Sequence, residues 1–221
     1  MTMLTEPVHP NESLVSEANG DRSRESITVA SGAVLKACAV LGAAYGDATS
    51  AAKSGGNTGN GTVTMDATNP TLAHAKPGVY TLRCIEAATN GGTFRLEDPD
   101  GTVLGDFTIS GGAGGTAAFA EQVKGVITDG STDFAVGDGF DITVPNTQTF
   151  GPIDFDASNG MNVGSAISYG DYDGTDGEVP GVAYVRDCEH NAAIVVWPTG
   201  TTTDQKVRAT RDLAEVGIIL R

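Results

Sequence analysis

The chain has 221 residues, 39% of them apolar and 6% aromatic, enough to build one large or two small hydrophobic cores. Its 28 acidic against 13 basic residues leave a formal net charge of −15, which excludes nucleic acid as a partner, since phosphate capture needs clustered Lys and Arg. Thirty glycines and few helix-favouring runs exclude a helical bundle and point to short strands joined by tight turns, under an acidic surface that resists self-aggregation.

In chain order, the polar leader MTMLTEPVHPNESLVSEANGD comes first. It cannot bury enough apolar surface to offset its ordering entropy, so residues 1–25 are expected to form a flexible arm that waits for a partner surface. Extended, such an arm reaches roughly 80 Å at about 3.3 Å per residue. No basic start precedes an apolar stretch and no run reaches about eighteen apolar residues, so neither a signal peptide nor a membrane span is expected.

Strands at 26–30 and 33–41 follow, a pair too small to bury a face alone. Two glycine- and threonine-rich seams, KSGGNTGNGT at 53–62 and PNTQTFGP at 145–152, then bracket a stretch with strand alternation. There Tyr80, Leu82 and Cys84 share one face, as do Phe94 with Leu96, Phe107 with Ile109, and Phe140 with Ile142 and Val144. Asn90-Gly91-Gly92, Asp98-Pro99-Asp100-Gly101, Asp129-Gly130 and Gly137-Asp138-Gly139 supply the turns between them. Beyond the second seam the pattern gives strands at 163–169, 181–186 and 193–197. A helix comes next, with Thr203 or Asp204 as N-cap, Val207, Thr210, Leu213 and Ala214 as its buried stripe and Gly217 just past its end. A last strand occupies 218–220.

The expected fold class is mainly β: a small β-rich core with one C-terminal helix, interrupted by an inserted antiparallel β-sandwich-like domain. The divisions fall at 1–25 for the arm, 26–56 and 150–221 for the two halves of the core, and 57–149 for the insertion. Tandem domains divided near 57 and 150 are the alternative.

Residues 23–42 read SRE-x-I-T-V-x-x-G-x-x-L-K-A-x-x-V-L-G, and the chain closes on GIILR. Over residues 6–46 and 163–221 this text resembles the head decoration proteins of tailed bacteriophages, the lambda-type family. Cys38 is a departure, standing where the pattern carries glycine. The resemblance implies a structural virion protein, made in the host cytoplasm, that binds the outer surface of the expanded capsid as a homotrimer and cements it. Its partner is then the major capsid protein, with no enzyme activity, cofactor, nucleic acid or membrane involved. A mobile arm that adds a strand to a capsid sheet edge fits that role, with Glu6, Pro7, His9, Pro10, Ser23, Arg24 and Glu25 as the attachment residues. A plainer reading makes Ser23, Arg24 and Glu25 a strand entry with Arg24 and Glu25 paired on the surface.

Few constellations invite chemistry. Asp171, Asp173, Asp176 and Glu178 crowd the loop DYDGTDGE, a weak calcium candidate, yet Thr175 and Asp176 break the EF-hand register. The run SGGAGGT at 110–116 lacks the lysine of a phosphate-binding loop, and Ser50 with Lys53 spells S-x-x-K without its companion motifs. His9, His74 and His190 compose no catalytic or metal-binding spacing, and Cys38, Cys84 and Cys188 read as buried free thiols. Trp197 reads as a core or subunit contact. The competing function is a carbohydrate-binding or adhesive β module, which needs exposed aromatics that this alternation does not supply.

Overall fold

Regular structure begins inside the polar leader. The computed structural model describes residues 6–221, so Met1–Thr5 of the expected arm lie outside the described residues. Strand β1 (Leu14–Glu17) and a helical turn α1 (Gly20–Ser23) precede β2 (Arg24–Val29), β3 (Val34–Leu35) and β4 (Val40–Tyr45). The chain then runs through β5 (Thr49–Ala52), β6 (Thr62–Met65), β7 (Gly78–Ala88), β8 (Gly91–Glu97), β9 (Val103–Ile109), β10 (Thr116–Ala120), β11 (Lys124–Thr128) and β12 (Gly139–Val144). It closes with β13 (Gln148–Pro152), β14 (Ala166–Ser168), β15 (Tyr172–Asp173), β16 (Val179–Tyr184), β17 (Cys188–His190), helix α2 (Thr203–Glu215) and β18 (Ile218–Leu220). The protein is mainly β, and no helix among the described residues is long and apolar enough to cross a membrane.

Two compact units result, one from Met1–Ala44 with Gln148–Arg221, the other from Tyr45–Thr147. In the first, β13, β2, β16, β14 and β4 close a barrel, with β2 and β13 parallel and the other recorded pairs antiparallel. Inside it lie Val29, Leu41, Ala166 and Ala183, all but sealed from solvent. Beside the barrel, β1, β17 and β18 form a small sheet that packs with α2 around Ile167, Tyr184, Leu213 and Ile218.

Three expectations about the strands and leader of this unit are corrected. The arm is seated from Asn11 onward, because β1 gains ladder bonds from β17 and the segment before it gains polar partners, neither of which composition reveals. The strand expected over 33–41 is broken between β3 and β4, where Cys38 takes a left-handed φ of 61°. Residues 193–197 make only a bridge from Val196 to Ala39, since Asn191 turns the chain by accepting the Ala193 N–H on its side chain and those of Ile194 and Val195 on its carbonyl.

Helix α2 is capped by Thr202, not by Thr203 or Asp204. Thr202 Oγ1 accepts the Gln205 N–H while the Gln205 side chain accepts the Thr202 N–H, a reciprocal cap that only this spacing allows. Its buried residues are Ala209 and Leu213, whereas Val207 is 55% exposed. Gly217, at a φ of 81°, ends it as expected.

In the second unit a five-stranded sheet, ordered β5-β12-β7-β8-β9, faces a three-stranded one, β10-β11-β6, with the recorded pairs antiparallel. The alternating residues of β7, β8 and β12 meet in one core with Phe119, Ile127 and Phe134. Phe94 meets Phe134 edge-on at 4.9 Å between ring centres. The seam at 53–62 lies inside this unit, because β5 ahead of it pairs with β12. Asp138 pins that seam, accepting the N–H groups of Thr58, Gly59 and Ala135 at 2.9 Å each.

Candidate functional site

The leader divides after Pro10 into an exposed tip and a seated strap. At the tip, Pro7 and Pro10 are exposed, and Glu6 Oε1 lies 2.9 Å from His9 Nε2, with the two side chains 82% and 60% exposed. That pairing raises the His9 pKa. The His9 N–H donates to Glu12 Oε2 at 2.8 Å, turning the chain inward.

From there the leader enters a polar node. Tyr184 donates its hydroxyl hydrogen to Asn11 Oδ1, and the Asn11 N–H donates to the Tyr169 carbonyl at 3.3 Å. Ser13 is fully buried. Its N–H donates to Cys38 Sγ at 3.4 Å, its carbonyl accepts the Asn191 N–H at 2.7 Å, and its hydroxyl shares a 2.8 Å hydrogen bond with His190 Nδ1. The Cys38 thiol in turn points at the His9 carbonyl, 3.7 Å away. Strand β1 then pairs with β17 in the register Leu14 to His190 and Glu17 to Cys188, and Ser16 donates to Glu189 Oε2 at 2.9 Å. As the outer member of its sheet, β1 leaves one edge unpaired among the described residues.

The expected attachment residues therefore fall into two groups. Glu6, Pro7, His9 and Pro10 lie together at the exposed tip. Ser23 and Arg24 lie at the far end of the strap and hold it, while Glu25 lies on the surface beside them. Ser23 is fully buried, its hydroxyl donating to Glu17 Oε2 at 2.8 Å. Arg24 grips both oxygens of Glu17 and lies over the rings of Tyr169 and Tyr184, at 5.2 and 5.3 Å. The Arg24 bond is the main cause holding the Glu17 carboxyl below its ordinary range. Glu25 pairs with Arg186, not with Arg24, whose guanidinium is held by Glu17.

Sequence reasoning missed Asn11, Ser13 and His190 as a set, since 177 residues separate the last two. Its one signal was Cys38 at a glycine position, and Cys38 proves to be the residue that turns the chain under Ser13.

The other candidates do not converge. Asp171 accepts the Ala37 N–H at 2.8 Å and Asp173 caps Thr175, so one carboxylate of the acidic loop holds the segment around Cys38 and another its own turn. Among the described residues no three His, Cys, Asp or Glu side chains are grouped as a metal site. Ser50 donates to the Val63 carbonyl and Lys53 to that of Gly56, and neither meets the other. All three cysteines are buried, and burial pushes the Cys188 thiol up to about 12. A 440 Å³ groove beside α2 is lined by Asp154, Phe155, Asp156, Pro198, Thr201 and Gln205, of which Gln205 is already engaged in the helix cap. In the second unit Tyr80, Phe94, Phe119, Phe134 and Phe140 are core residues, and Tyr45 and Phe107 are half-buried against the same core, so among the described residues no aromatic of this unit is exposed.

No curated protein matches the chain. The crystal structure of Xanthomonas campestris FlgL aligns with 52% of this chain and 33% of its own at 19% identity, with a TM-score of 0.32, a likeness too slight to carry an argument; this chain spans about a third of that protein. The family model described as bacteriophage lambda head decoration protein D matches residues 3–218, nearly the whole length, and the chain belongs to that family.

Proposed function

We propose that this protein attaches to the outer surface of an expanded phage head as a homotrimer, bound to the major capsid protein, and cements the shell. The family match over residues 3–218 carries this reading. Charge supports it too, since a chain of −15 has no means of holding packaged DNA directly but keeps an outward face soluble.

Attachment belongs to the exposed tip, with Glu6, Pro7, His9 and Pro10 meeting the capsid and the free edge of β1 open to an added strand. Three tips joined in one trimer make the second and third contacts intramolecular, raising avidity by on the order of a hundredfold. The unit Tyr45–Thr147 is an insertion in the decoration core, displayed on the head. The protein works by contact area and not by catalysis.

The test is co-sedimentation with expanded, undecorated heads, using intact protein and a deletion of residues 1–10 that spares Asn11 and the strap. The intact protein is expected to saturate the heads in multiples of three and to raise their resistance to heat. The deletion is expected to stay folded and lose binding by at least about a hundredfold. Full occupancy by the deleted protein would refute attachment through the tip, and failure of the intact protein to bind any head would refute the function.

A further inference from the structure

His190 is fully buried at the junction between leader and barrel, beside Tyr184 and Cys38, and its setting tolerates only the neutral ring. Nδ1 is engaged by the Ser13 hydroxyl, while Nε2 is buried without any hydrogen-bond partner. The ring stands edge-on to Tyr184, 4.8 Å between centres. A neutral imidazole can leave one nitrogen as an idle acceptor, but an imidazolium carries an N–H on both. The second N–H would face a wall with no acceptor, at the cost of an unsatisfied buried charge.

The charged and titratable surroundings do not relieve this. Strand β1 contributes Glu17, whose carboxylate is already occupied by Arg24 of β2 and by Ser23. Tyr184 comes from β16, with Tyr169 beside it, and the Arg24 guanidinium lies over both rings. Strand β17 itself offers the Cys188 thiol and Glu189, the latter engaged by Ser16 and Arg221. Cys38 holds the Ser13 N–H.

We propose that the leader is a proton-releasable strap: residues 11–17 stay seated on β17 while His190 is neutral, and protonation of His190 lifts them while the barrel stays folded. Two features make the strap the part that yields. It is attached at its inner end to the very ring that would take up the proton, and its ladder with β17 is short and interrupted by an irregularity between Leu14 and Ser16.

The sign is fixed by burial. Desolvation pushes His190 from 6.5 down to about 4, with Glu17 pulling weakly the other way. A seated strap binds fewer protons than a lifted one between those values, so seating is complete above about pH 6.5 and weakens as pH falls toward 4. Glu17 also loses its charge in acid, but later, because Arg24 holds its pKa down.

Hydrogen exchange of the intact protein, corrected for intrinsic rates, tests this in isolation from any capsid. Protection at residues 14–17 is expected to fall by about a hundredfold between pH 7 and pH 4 while β2 and β16 keep theirs. His190→Gln, neutral at every pH, is expected to remove that dependence. Ser13→Ala, which cuts the bond without touching the ring, is expected to loosen the strap about tenfold at pH 7. The proposal fails if wild-type protection is flat to pH 4, if strap and barrel open together, or if His190→Gln follows the wild-type curve, which would assign the effect to Glu17. Should His190→Gln not fold, the nitrogen-15 shifts of His190 in the wild type decide: its titration must coincide with loss of strap protection, and opening without it overturns the idea.

Discussion

Cys38 carries more than its size suggests. A non-glycine residue at a φ of 61° costs roughly 1 kcal/mol, which the fold offsets here because the thiol accepts the Ser13 N–H and points at the His9 carbonyl. Cys38→Gly relieves the strain but loses those contacts and gains unfolded-state freedom, so its net effect is expected to stay within about 1 kcal/mol. Cys38→Val keeps the bulk but sets a β-branched side chain in the left-handed region with no polar sulfur, and is expected to cost more than about 2 kcal/mol. Urea denaturation of the two variants separates these outcomes, and equal losses would show that the backbone turn is not what Cys38 supports. The sequence marked this position as odd for its family pattern. What it could not show is that Ser13, His190 and Asn191 converge on the same spot.

At the scale of elements, helix α2 shows how a legible pattern can be placed a little wrongly. The apolar periodicity located the helix, but Thr201, Thr202, Thr203 and Asp204 all have capping side chains, and only Thr202 stands three residues before a glutamine able to reciprocate. Thr202→Ala is therefore expected to cost about 1 kcal/mol, and Thr203→Ala only a few tenths, measured by denaturant titration. The buried stripe was rotated for a different reason. Gly164 lies so close under the helix that a methyl group there would come within 2.8 Å of the Ala209 carbonyl oxygen, which makes Ala209 and Leu213 the inward pair and leaves Val207 outside. Strand β1 was hidden altogether, since LVSE has no alternation of its own and becomes a strand only because β17 offers an edge.

For the molecule as a whole, the two units hold separate cores, one around Phe94, Phe119 and Phe140, the others around Val29, Leu41, Tyr184 and Leu213. Calorimetry is expected to resolve two transitions, and Phe94→Ala to lower only one of them, by about 3–5 kcal/mol. A single transition shifted as a block would mean that the units unfold cooperatively. The sequence by itself determined the mainly β class, the strand faces of the middle unit, the helix near the end and the family, because alternation, turn residues and short motifs are local properties of the chain. Tertiary structure decided the rest: where the middle unit begins, which leader residues are exposed and which are seated, and that Ser23, Arg24 and His190 serve the strap. Those outcomes depend on partners up to 177 residues away, and no local pattern records what burial will do to a hydroxyl, a guanidinium or an imidazole once such a partner arrives.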